Sequence, residues 1–93
     1  MTLKEIQELV EARSAKSPTG IRSDFTDMGA LTEKVGELAR VLASKHSDPS
    51  MSAQAAHAAL SAEMCNVLWA LCSLSNHAGI DLTEALIDNF HKR

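Results

Sequence analysis

Apolar residues return along this chain at helical intervals, and no stretch alternates in the manner of a strand. Leu3, Ile6, Leu9 and Val10 make one stripe, predicting a first helix that starts after Thr2 and ends near Ser14. Thr2 and Glu5 have the spacing of a capping box, in which each residue bonds the other's backbone amide. From Ala15 to Asp24, the run Ser17-Pro18-Thr19-Gly20 reads as a loop. Met28, Leu31, Val35, Leu38 and Leu42 then recur in steps of three and four, a narrow packing seam on a second helix from about Asp24 to Ser44. Pro49, within His46 to Met51, rules out a continuous helix there. A third helix is expected from about Ser52 to Asn76, alanine-rich at first and apolar on nearly every side from Met64 to Leu74. A helix apolar all round belongs at the centre of a bundle or at an oligomer interface. Gly79 fits its C-cap. Asp81 and Glu84 repeat the capping-box spacing before a short last helix with Leu82, Leu86 and Phe90 on one face. The fold expected is therefore all-α, an antiparallel bundle of about four helices in one domain spanning residues 1–93.

Composition narrows the picture without changing it. Ninety-three residues fit one small domain, for which self-association is a ready way to gain core. The net charge of -3 and the 3% aromatic content argue against nucleic acid and anionic membranes as partners. The longest unbroken apolar run, Val67 to Cys72, is too short to span a bilayer. Cys65 and Cys72 lie seven residues apart on one helix, roughly 10 Å by helical rise, too far for a disulfide. They read as buried small hydrophobes in a reducing, cytoplasmic setting. His46, His57, His77 and His91 show no two-histidine metal spacing, and neither a phosphate-binding loop nor a dinucleotide fingerprint occurs.

Two polar intrusions carry the candidate chemistry. On the second helix, Lys34 and Glu37 flank the apolar seam while Glu33 points to solvent, and Gly36 suggests close approach of another backbone or a ligand. On the third, Glu63 and Asn66 share a face with Ala59, Ala70 and Ser73. A carboxylate on such a face must be paired, hydrogen-bonded or bound to a cation. Two readings follow. In one, Glu63 pairs with Lys34 and Asn66 bonds a neighbouring backbone. In the other, facing helices hold a hard divalent cation such as Mg²⁺.

Leu31-Thr32-Glu33-Lys34-Val35-Gly36-Glu37-Leu38-Ala39-Arg40 resembles the first signature of the MazG-like nucleotide pyrophosphohydrolases, L-T-E-E-V-G-E-L-A-R. Glu63-Met64-Cys65-Asn66-Val67-Leu68, followed by Leu71, is similar to the second, E-x-x-D-V-L-x-x-L. Ser75 to Ala85 resembles the third, A-N-x-x-G-I-D-L-E-E-A, so the likeness covers nearly the whole chain in order. The resemblance implies a homodimer or a homotetramer built as a dimer of dimers. It implies Mg²⁺-dependent hydrolysis of a nucleoside triphosphate to monophosphate and pyrophosphate, a house-cleaning reaction. It also implies metal ligands at Glu37, Glu63 and Asn66, with Glu37 and Glu63 as the catalytic carboxylates. Lys34 stands where the family has the first acid of E-x-x-E, and Asn66 where it has the aspartate. Four acids would carry -4; these four positions carry -1, which weakens Mg²⁺ binding. Lys34 becomes a candidate phosphate contact, as does Lys92 near the chain end. The alternative implied is a non-catalytic relative that keeps the fold as a homo-oligomeric binding or scaffold module.

Overall fold

A computed structural model describes residues 1–14 and 23–92. Among them are four helices and no strand: α1 (Leu3–Ser14), α2 (Asp24–Ser47), α3 (Ala53–Ala78) and α4 (Leu82–His91). The loop expected around Ser17-Pro18-Thr19-Gly20 lies outside the described residues.

The helix ends follow local chemistry. Thr2 and Glu5 form the reciprocal capping box, with Glu5 Oε1 accepting from the Thr2 amide at 2.9 Å and Thr2 Oγ1 from the Glu5 amide at 3.1 Å. Both bonds hold the Glu5 carboxyl below its ordinary pKa, the backbone bond more than the hydroxyl. Ser23 and Ser52 cap α2 and α3 by accepting from Thr26 and Ala55. α2 runs one turn past the expected Ser44, because Pro49 forbids only the turn that contains it. Gly79 closes α3 at φ 72°, in the left-handed region that glycine enters freely. The Gly79 and Ile80 amides then satisfy the last carbonyls of the helix. Asp81 opens α4 by accepting from the Thr83 and Glu84 amides.

The largest interface is the antiparallel hairpin of α2 and α3, closed by the short turn at 48–52; α1 lies on α3, and α4 packs chiefly on α1. Two buried polar side chains fix these placements. Gln7, only 6% exposed, sits among the apolar positions of α1. Its Nε2 donates to Asn76 Oδ1 and to the Ile80 carbonyl, both at 3.0 Å. Its Oε1 accepts from the Leu82 amide at 2.9 Å, and its own carbonyl accepts from Asn76 Nδ2. One side chain thus ties α1 to the end of α3 and the start of α4. The apolar core is sparse: Val10, Ala56, Ala70 and Cys72 are the buried hydrophobic residues among those described. Burial pushes the Cys72 thiol pKa up, whereas Cys65 is exposed rather than buried as expected.

By length and composition α3 is apolar enough to cross a membrane, since mean hydropathy over an 18-residue window reaches 1.3. The unbroken run Val67 to Cys72 understates this, because alanines carry the apolar character further along the helix. α3 contacts both α1 and α2, the place of a central bundle helix.

Replacing Gln7 with alanine leaves the Ile80 carbonyl and Leu82 amide without their partner, at an expected cost of about 2–4 kcal/mol. Thermal or urea unfolding monitored by circular dichroism measures it; an unchanged midpoint means that the clamp is idle. For Glu5, a depressed pKa contributes stability that is present above the unfolded value of 4.5 and lost as pH falls through the folded value. In a carboxyl titration by NMR, Thr2→Ala is expected to return the Glu5 midpoint toward 4.5.

Candidate functional site

The α2–α3 hairpin sets the level of every side chain between its two arms. α2 ends at Ser47 and α3 begins at Ala53, and near the far end Ser73 Oγ donates to Asp27 Oδ1 at 3.3 Å. Both helices rise equally per residue, so each step back from the turn on α2 matches a step forward on α3. Lys34 therefore stands level with Asn66, and Glu37 with Glu63, one helical turn nearer the hairpin turn.

Within those levels the four side chains have unlike surroundings. Lys34 Nζ lies 3.7 Å from Glu37 Oε2, with the two side chains 36% and 31% exposed. At this exposure the pair contributes little to stability, on the order of 0–1 kcal/mol. The expected pairing of Lys34 with Glu63 is not among the ion pairs of the described residues. Instead, one carboxylate oxygen of Glu63 is shut off from solvent with no hydrogen-bond partner among them. Asn66 is exposed on the flank of α3. Lys92 caps the C-terminus of α4, a helix that packs chiefly on α1.

Glu33 is exposed, as its position on the back of α2 requires. At Gly36 a Cβ would meet nothing within 4 Å, so among the described residues no backbone makes the close approach that was one of the two expectations for this glycine. Trp69 is half-buried on α3.

One cluster has no counterpart in the sequence reading. Asp27 is 3% exposed and shares its two oxygens between Ser73 Oγ and His77 Nδ1. It lies two turns from Lys34 on the same face of α2 and joins that helix to the end of α3. The Ser73 hydroxyl donates to one carboxylate oxygen and the His77 imidazole meets the other. Its signal in the sequence is a lone acid on the apolar seam, one residue from Met28. The matching signal for Gln7 is an amide between Ile6 and Val10. Neither names its partner.

A divalent cation suits part of this arrangement. Mg²⁺ is commonly held by one or two carboxylates together with substrate phosphates, and the unsatisfied oxygen of Glu63 is a ligand atom without a protein partner. Among the described residues, no group of three or more His, Cys, Asp or Glu side chains is placed to hold a metal. Beside Glu37 the Lys34 ammonium supplies positive charge from within the chain.

Together the fold and this seam define the class: a small all-α protein in which a two-helix hairpin carries mixed charge between its arms. No family model matches the chain. It is similar to the uncharacterized protein YpjD of Bacillus subtilis (strain 168), 32% identical over 91 residues that make up 98% of this chain and 82% of that one. The chain belongs to the same family as YpjD.

Gly36→Ala is expected to raise stability by about 0.5–1 kcal/mol, because the new methyl group meets open space and alanine favours helix. A lowered melting temperature would mean that something outside this chain approaches Gly36.

Proposed function

We propose that this protein is a MazG-like nucleoside triphosphate pyrophosphohydrolase whose carboxylate site has been reduced to two acids. The observation that carries the reading is the sealed, unpartnered oxygen of Glu63 level with Glu37 on the facing helix. Burying a carboxylate oxygen without a partner costs free energy, so a site that keeps one is built for a ligand that supplies the missing charge. The order of the three sequence signatures along the chain supports the same reading.

Glu37, Glu63 and Asn66 would hold Mg²⁺, which supplies positive charge to the triphosphate when bound. With only two carboxylates against Lys34, the free ion binds weakly and binds best together with the nucleotide's phosphates. Lys34 sits beside Glu37, 3.7 Å away, where its ammonium offers a direct contact to a phosphate oxygen. Glu37 and Glu63 orient water toward the phosphate chain, and Lys92 reaches phosphate only from a part of the molecule outside the seam. The products are a nucleoside monophosphate and pyrophosphate, consistent with a house-cleaning role in the cytoplasm. The acting species is a homodimer or homotetramer.

The second reading, a non-catalytic relative acting as a homo-oligomeric binding or scaffold module, is favoured by the same ion pair. Lys34 already gives Glu37 a cationic partner from within the chain.

Incubation with dUTP, dCTP and the canonical triphosphates plus Mg²⁺ or Mn²⁺, following pyrophosphate release, separates the two. Turnover that falls at least about 100-fold in kcat/KM in Glu63→Ala is expected, equivalent to about 2.7 kcal/mol of transition-state stabilisation. No turnover with any triphosphate favours the scaffold. Lys34→Glu combined with Asn66→Asp is expected to tighten Mg²⁺ binding at least about tenfold by calorimetry. Failure of that double change means that the four positions do not share one cation.

A further inference from the structure

α4 is apolar on more of its surface than the bundle covers. Leu82, Ala85, Leu86 and Asn89 line a groove of about 370 Å³ whose other wall is Leu3 of α1 with Leu68 and Leu71 of α3. At about 100° per residue, Phe90 falls about 80° round the helix from Leu82, and Ile87 about 140°. Ile87 and Phe90 are 53% and 63% exposed, and Ile80, just ahead of the helix, is 49% exposed.

Two further grooves meet at Ile80 and Asp81. One, of about 560 Å³, runs between α1 and the end of α3, with Lys4, Glu8 and Glu11 along it. The other, of about 520 Å³, lies on the outer side of α4, with Glu84, Ile87 and Asp88. Acids thus stand on both sides of an apolar centre: Glu8 and Glu11 on the α1 side of Ile80, Glu84 and Asp88 beside Ile87. With Asp81 they make five carboxylates, and Lys4 is the one cation lining either groove. That leaves -4 along the two grooves, against -3 for the whole chain, so the rest of the molecule carries +1. None of the five carboxylates is in an ion pair among the described residues. The negative charge of the protein is therefore concentrated, unneutralised, beside apolar side chains that the fold leaves open.

We propose that this face binds a basic amphipathic helix of another protein, its apolar stripe over Ile80 and Ile87 and its lysines and arginines against the acids on either side. An exposed apolar patch with a polar rim marks an interaction surface, and here the sign of the rim selects the partner. A second copy of this chain is a poor fit, because a two-fold pairing of this face sets five carboxylates against five. An anionic membrane is repelled in the same way. No residue of α2 lines either groove, so the face is apart from the Lys34, Glu37 and Glu63 seam. The inference goes beyond nucleotide hydrolysis and stands whether or not turnover occurs.

The probe is a synthetic peptide of about 14 residues, close to four helical turns, with leucines at helical spacing and lysine elsewhere. A second peptide carries glutamate in place of each lysine. Binding to the full chain is read by calorimetry, with solution mass followed by sedimentation. The lysine peptide is expected to bind at least about tenfold more tightly than the glutamate peptide, and added salt to weaken it. Ile87→Glu is expected to weaken it at least about tenfold and Glu84→Lys at least about threefold, with helicity kept. Glu33→Lys, the same change of charge on the back of α2, is expected to stay within about twofold of wild type. Equal binding of the two peptides, or binding of neither, overturns the proposal. So does an effect of Glu33→Lys as large as that of Glu84→Lys. A wild-type mass that falls on Ile87→Glu gives the face to a second copy and overturns it as well. Should Ile87→Glu lose its helicity, Glu84→Lys against Glu33→Lys decides alone.

Discussion

A buried polar side chain tolerates one register and no other, and two such side chains hold this molecule on α3. Gln7 spends both ends of its amide on groups that only the α3–α4 junction supplies. Asp27 has its carboxylate against Ser73 and His77, at the opposite arm of the hairpin. Slide α1 or α2 along α3 by one turn, about 5.4 Å, and these groups are buried with nothing to bond. The cost of such a slip is on the order of 1–3 kcal/mol for each group left unmade. The sparse apolar core imposes no comparable penalty, since alanine and cysteine make up most of what is fully buried. Specific register here comes from polar bonds, and apolar burial supplies a less particular attraction.

Register decides chemistry. Because Asp27 sits opposite Ser73, Glu37 comes level with Glu63 and Lys34 with Asn66. One turn of slip would put Glu37 beside Val67 or Leu60 and dissolve the candidate site. The residues that set the register lie two turns away from the residues that would act. Substitutions at Asp27 or His77 thus bear on the seam without touching any ligand bound there.

Much of the frame could be read from the residues because its causes are local. Thr2 with Glu5, Ser52, Asp81 and Gly79 each act on amides or carbonyls a few residues away, so spacing alone reveals them. The apolar seam of α2 was legible as a seam, but not the way it divides. Leu31 and Leu38 turn to α3, while Met28, Val35 and Leu42 are left at the flank. Gln7 and Asp27 were not legible, because their partners lie 69 and 46 residues or more along the chain. An amide or carboxylate on an apolar stripe announces that a partner exists without naming it. Gly36 shows the same limit: its helical cost is real, but among the described residues open space surrounds it.

Lys34 changes what the seam can do without a ligand. Four carboxylates on two facing helices repel one another, and the hairpin that carried them would be strained until a cation arrived. With a lysine at one position and a neutral amide at another, the charge within the seam falls to -1, and Lys34 pairs with Glu37 at 3.7 Å. Only one oxygen of Glu63 still lacks a partner. Under the MazG-like reading, the remaining demand for positive charge is small enough for a metal–nucleotide complex to meet, and too small to hold the free metal tightly. On that reading, Lys34 would lower the repulsion in the empty protein and shift recognition from the ion to the phosphates it carries.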